Sequence, residues 1–231
     1  MTWDMNKTRE LLKLKYGNQQ VLAARNAIRG STARLDHARY HFQELRQLLK
    51  QHIDDQLPER HLLELTLVGP SAAVMNEVLT KVEANMIACA QSVHAIPDAM
   101  AHVVFFAAGL NLKPEPMPDR YVSLRTVFPL LVKDKRFEGV AAIFEAMKAD
   151  AAWVALDEIV NYGKHRGLPD PVLQLEPANS SLPYAMMFPS FRYGNEVRPE
   201  VEVEELLRPA YELMSRTVVD TGKAINEAME R

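Results

Sequence analysis

Cysteine is almost absent from this chain: Cys89 is the only one in 231 residues. A single thiol excludes an intramolecular disulfide and any cysteine-based zinc site. It lies on an apolar helical stripe, which predicts a buried, inert thiol rather than a reactive one. Glycine is also scarce, at 9 residues. No glycine-rich phosphate loop, Walker pattern or G-x-S-x-G elbow occurs, so a nucleotide-binding fold is not expected. Long apolar runs are missing. The most weakly charged stretch, Val93 to Leu112, contains His94, Pro97, Asp98 and His102 and is a poor membrane span. The first ten residues are polar and lack the apolar core of a signal peptide, which makes the cytoplasm the expected compartment. Charge of one sign is not in excess: the net charge is -3 and the pI about 6.2. The whole-chain charge therefore gives no push toward nucleic acid or an anionic membrane, although a local basic patch remains open.

What the chain does have is helical periodicity. Hydrophobic residues make up 48% and charged residues 25%, enough apolar material for one core, and the expectation is a single helical-bundle domain over residues 1–231. The most regular segment places Leu79, Val82, Met86, Cys89, Val93, Ile96, Met100 and Val103 at alternating helical steps. Gly69-Pro70-Ser71 is a start signal and Gly109 a stop signal, so this central helix is expected from about Pro70 to Gly109. Pro97 inside it predicts a kink near Val93 to Pro97.

A first helix carries Leu35, Ala38, Phe42, Leu45 and Leu49 behind a Ser31 or Thr32 N-cap and ends before Leu57-Pro58. A third is expected from Phe137 to Tyr162, with Val140, Ile143, Phe144, Met147, Val154 and Val160 as its apolar positions. A fourth, from Val201 to Met229, carries Leu206, Ala210, Leu213, Val218, Ile225 and Met229. An additional N-terminal helix over about Lys7 to Arg29 is less periodic. Lys113 to Pro118 reads as a stiff proline-rich connector. Val172–Leu175 and Ala185–Phe188 are candidate short strands, a small β-hairpin within 172–190. His61 to Val68 is ambiguous between helix and strand. The fold class expected is mainly α.

Two polar clusters stand out. His94, Asp98 and His102 are four apart on the central helix and share a face. Asp98 is placed to hydrogen-bond either histidine and fix its tautomer. Asp157, Asn161, Lys164, His165 and Arg166 gather at the end of the third helix, where cations also suit the negative end of the helix dipole. Each has a bland alternative. Histidines on an apolar helix are commonly satisfied structural groups, and a Lys-His-Arg run is commonly an ordinary helix terminus. His37 and His41 read as a solvated or interhelical pair, and His52 and His61 as incidental. A metal site would need assembly across helices. No metal and no cofactor is called for.

The order of motifs resembles a known family. HARYHFQEL (37–45) is followed by SVHAIPDAMAHVVFFAAGL (92–110), TVFP (126–129) and ALDEIVNYGKHRGL (155–168). This is similar to an uncharacterised family of bacterial helical proteins. In that family a central helix reads His-Asn-Leu-Arg-Ser-Ala-Leu-Asp-His, and a Thr-x-Phe-Pro segment and an Asn-x-x-Lys-His-Arg motif follow it. The central Arg-x4-His resembles the signature of the HEPN superfamily of helical bundles. Many of these are metal-independent, dimeric ribonucleases of toxin–antitoxin and phage-defence systems. In such enzymes the resemblance assigns Arg to the scissile phosphate and His to proton transfer, a fixed cation beside a group that titrates near neutrality.

This chain departs from the signature. His94 and His102 match the two histidines, but Pro97 stands at the arginine position, Asp98 at the serine and Ala101 at the aspartate. Asn161, Lys164, His165 and Arg166 keep the last motif intact. Proline has no group for a phosphate, and Asp98 would repel one. The resemblance thus implies a HEPN-like, non-catalytic binding or regulatory module, linked to RNA or defence, with RNA or a protein as partner, no membrane and a homodimeric state. His94, Asp98, Asn161, Lys164 and Arg166 would be its binding residues. The alternative is a divergent metal-independent ribonuclease in which His102 and His165 move protons while Lys164 and Arg166 hold phosphate.

Overall fold

Ordinary helix-forming chemistry accounts for most of the chain. The computed structural model describes residues 2–57, 70–166, 171–175 and 183–231. The His61 to Val68 segment lies outside the described residues. The elements are α1 (Met5–Tyr16), α2 (Asn18–Leu49) closed by a π turn (Lys50–Asp54), α3 (Pro70–His94), α4 (Ile96–Ala107), α5 (Leu124–Leu131), α6 (Glu138–Ala149), α7 (Ala151–Arg166), β1 (Val172–Leu175), β2 (Tyr184–Phe188), β3 (Phe191–Tyr193), β4 (Glu196–Arg198), β5 (Val201–Glu202) and α8 (Val203–Glu230). The protein is mainly helical, as expected, with a small antiparallel sheet region. Among the described residues no helix is long and apolar enough to cross a membrane.

The described residues fall into two compact units, each drawn from separate stretches of chain. One comprises 1–36, 93–154 and 210–231; the other comprises 37–92 and 155–209. In the first, Leu12, Ile28, Met100, Val104, Phe105, Val127, Phe137, Phe144 and Met214 are buried. Its amide pair Gln20–Asn111 is reciprocal, at 2.8 and 2.9 Å, and Gln20 also donates to the carbonyl of Phe106 at 2.6 Å. That bond satisfies one of the carbonyls left open at the end of α4. In the second unit, Ala38, Leu45, Ile53, Val82, Met86, Leu156, Phe188 and Leu207 are buried. There β1 pairs antiparallel with β2 and β2 with β5, and β3–β4 forms a separate hairpin. The expected pairing of 172–175 with 185–188 is present, in the register Leu173↔Met186 and Gln174↔Ala185.

Four helix boundaries differ from expectation, each for a local reason. The chain from Asn18 to Leu49 is one helix, with no N-cap at Ser31 or Thr32. Both hydroxyls instead donate back to the carbonyls three residues earlier, Ile28 and Arg29, at 2.9 and 3.1 Å, which lets them remain inside a helix. The break comes earlier, at Gly17, whose φ of 86° is glycine territory. The expected Phe137–Tyr162 helix is two helices. Asp150 is extended between them, and its carboxylate accepts from the Ala152 N–H at 2.8 Å, an N-cap for α7. Val154 is consequently 41% exposed rather than a core position. The central segment is interrupted at Ala95 instead of merely kinked, and Pro97 occupies the first turn of α4, where its missing N–H costs least. Finally, Val201 and Glu202 belong to β5, and α8 starts at Val203.

Candidate functional site

In the first unit, α4 carries the polar cluster predicted on the central helix. His94 is the last residue of α3, so the Ala95 break separates it from Asp98 and His102. Its ring stacks on Trp153, centroids 5.3 Å apart and planes 18° from parallel. Asp98 lies in the first turn of α4, where a carboxylate suits the positive end of the helix dipole. It does not hydrogen-bond through its carboxylate to His102. Oδ1 instead accepts from the backbone N–H of Leu124 at 2.8 Å. Leu124 opens α5, and its N–H is one of the donors a helix start leaves open.

The same start carries a capping box. The Ser123 N–H donates to Thr126 Oγ1 at 2.9 Å while Ser123 Oγ accepts from the Thr126 N–H. Thr126 of the Thr-x-Phe-Pro segment is thus a capping residue. Phe128 two residues on receives the Lys148 ammonium at 4.6 Å from its ring centre.

His102 is half-buried, and its Nδ1 lies 2.9 Å from the carbonyl oxygen of Asp98. A carbonyl only accepts, so Nδ1 carries the proton. In the neutral ring Nε2 is then the acceptor. The Asp98–His102 contact runs through the backbone carbonyl and not through the carboxylate expected to fix the histidine tautomer.

In the second unit, α7 ends at Lys164, His165 and Arg166, all exposed, with Asn161 half-buried one turn earlier. The β3–β4 hairpin braces this end. Tyr162 packs on Phe191 with ring centres 4.8 Å apart, Arg198 pairs with Glu158 at 2.5 Å, and Arg166 donates to the Arg192 carbonyl at 3.4 Å. His41 donates from Nδ1 to the Asn85 side-chain carbonyl at 2.9 Å, bridging α2 and α3 as an interhelical contact. Cys89 is buried, and its thiol donates to the Ala38 carbonyl at 3.3 Å. Among the described residues no three of His, Cys, Asp or Glu gather as a metal-binding group.

The second unit also holds a cavity of about 570 Å³ that the motif reading did not anticipate. The π turn closing α2, strand β2 and the β5–α8 junction line it. Tyr184 Oη donates to Asp54 at its edge, at 2.7 Å, across 130 residues of sequence. Burial, and then Asp54, pushes the Tyr184 hydroxyl well above its usual range. The one local signal was the alternation Glu200-Val201-Glu202-Val203, a period-two stretch at the head of a helix.

The fold thus defines a mainly helical protein that carries a small antiparallel sheet region. Comparison with protein-family models, curated proteins and solved structures returns no match.

Proposed function

We propose that the chain is a cytoplasmic, HEPN-like, non-catalytic binding module of bacterial type. It would act as a homodimer and hold RNA through the exposed Lys164, His165 and Arg166. The observation that carries the non-catalytic reading is the Asp98 carboxylate, which is spent on the Leu124 N–H at the start of α5. Beside it stands Pro97, which has no group to offer a phosphate. Two positions that a phosphate-cleaving helix would keep for chemistry thus serve packing and capping. The RNA reading is supported by three consecutive exposed basic or titratable side chains at one helix end.

The decisive test incubates the full chain with labelled single-stranded RNA from pH 5 to 9. No cleavage above buffer is expected. Retention of RNA at low salt should weaken in Lys164→Glu and Arg166→Glu, each lowering the slope of log affinity against log salt by about one. Cleavage that His102→Ala abolishes would overturn the reading in favour of a divergent metal-independent ribonuclease. One observation favours that second reading: His102 holds its proton on Nδ1, which leaves Nε2 to accept one from a nucleophile. In that case His165→Ala should lower the rate as well, with Lys164 and Arg166 supplying phosphate contacts. Light scattering at micromolar protein checks the dimer.

A further inference from the structure

The cavity of the second unit, about 570 Å³, falls within the roughly 300–1,000 Å³ typical of small-molecule sites. Part of its wall is apolar: Leu45, Leu49, Met186 and Val203 line it. Leu45, Met186 and Val203 are themselves 5% exposed or less, so these walls are fixed parts of the core. The π turn at the end of α2 brings Lys50 and Asp54 to the rim. Its extra residue per turn, marked by the Asp55 N–H reaching the Lys50 carbonyl at 2.9 Å, is a feature often found at functional sites.

The charges that line the cavity select its ligand. Asp54, Glu202 and Glu204 face Arg46 and Lys50, three carboxylates against two cations, a net charge of -1. Both cations are already engaged, Arg46 with Glu204 at 3.1 Å and Lys50 with Asp55. Asp54 accepts the Tyr184 hydroxyl. The Glu202 side chain alone among the five makes no hydrogen bond or ion pair among the described residues; its backbone pairs with β2. We propose that this cavity binds a small organic cation. An apolar body of about one ring would lie against Leu45, Leu49, Met186 and Val203, with a protonated amine against the Glu202 carboxylate.

Three arguments support the assignment. A half-buried carboxylate without a partner gains the most from an incoming cation, because its desolvation is already incurred. Burial, reinforced by Glu205 and Glu204, holds the Glu202 carboxyl above its ordinary range, the sign of an unmet charge. The Tyr184 O–H donates its hydrogen bond to Asp54, so the oxygen's remaining lone pairs offer the cavity an acceptor, and an ammonium group brings three donors. A carboxylate or phosphate ligand would find both cations committed and Glu202 repelling it.

The test is calorimetric titration of the full chain at pH 7.5 with three probes of matched shape: 2-phenylethylamine, 2-phenylethanol and phenylacetate. The amine should bind tighter than the alcohol by about tenfold, and phenylacetate should not bind. Glu202→Gln, checked for folding by circular dichroism, should remove the amine's advantage and leave the alcohol's affinity unchanged. Met186→Trp, which fills the cavity, should abolish both. The idea is overturned if amine and alcohol bind the unaltered chain equally, if neither binds at millimolar concentration, or if the amine preference survives in Glu202→Gln. The comparison on the unaltered chain decides the matter even if a variant fails to fold. None of these outcomes bears on RNA binding or cleavage.

Discussion

The Cys89 thiol shows what burial does to a single group. Sealed beneath α2, it is pushed up from an ordinary value near 9 to about 12. The folded chain therefore holds this proton over a pH range in which the unfolded chain releases it. Folding then binds the extra proton, so stability falls as pH rises above about 9. Tyr184, also raised by burial, acts in the same direction at higher pH. Urea midpoints measured from pH 8 to 11 should fall, and the fall should be shallower in Cys89→Ala. A midpoint independent of pH across that range would contradict the burial argument. In the native chain Cys89 should also fail to react with a disulfide reagent, and in denaturant it should react with one equivalent.

Asp98→Ala removes the acceptor for the Leu124 N–H and should cost about 1–2 kcal/mol by urea denaturation. Asp98→Asn keeps a carbonyl in place and should recover most of that. If the two variants are equally stable, the capping role assigned to Asp98 is wrong.

At the scale of elements, the apolar stripes were legible and the interruptions were not. Val82, Met86, Cys89, Val93, Ile96, Met100 and Val103 are buried, as their spacing required, while Leu79 at the head of the stripe is only half-buried and its neighbour Val78 takes the core position. Yet the same stripe passes through the Ala95 break without losing step, because Ala95 stays close to helical geometry, with φ -80° and ψ -7°. Periodicity registers which side faces the core, and it is blind to a break that preserves that side. Residue type is no better a guide. Asp150 and Asp157 are the same residue in one apolar pattern, but Asp150 stands extended and caps α7 while Asp157 lies within it. Ser31 and Thr32 look like caps and sit mid-helix.

The same limit applied to the candidate site. Which residues were polar was readable, but their partners depended on contacts such as Asp98 to Leu124, 26 residues apart. The cavity depended on longer ones still. Asp150→Ala should accordingly cost about 1 kcal/mol through loss of the N-cap, whereas Ser31→Ala should be close to neutral. Thermal melts of the pair distinguish a capping residue from a look-alike.

At the scale of the whole molecule, the first unit ties residues 3–8 to α8. A buried relay does so: Trp3 Nε1 donates to Thr8 Oγ1 at 2.8 Å, Thr8 donates to Asn226 Oδ1 at 2.6 Å, and Asn226 Nδ2 donates to the Asp4 carbonyl at 3.0 Å. Every member has its partner, the condition under which a buried polar network stabilises a structure. The indole sits against Gly222 of α8, so close that a Cβ there would fall 2.2 Å from the ring. Glycine inside a helix ordinarily costs about 1 kcal/mol against alanine. Here the absence of a side chain is what admits Trp3.

The contact predicts a coupling of opposite signs. Gly222→Ala in the unaltered chain should displace the indole, break the relay and destabilise by roughly the 3–5 kcal/mol of a buried tryptophan lost. Trp3→Ala should cost a similar amount. In the Trp3→Ala background the clash is gone and only helix propensity remains, so Gly222→Ala should then be neutral or stabilising by up to about 1 kcal/mol. A double-mutant cycle by urea denaturation reads this directly. Simple additivity of the two losses would mean that Trp3 and Gly222 do not share this space, and that residues 3–8 are held to α8 by something else.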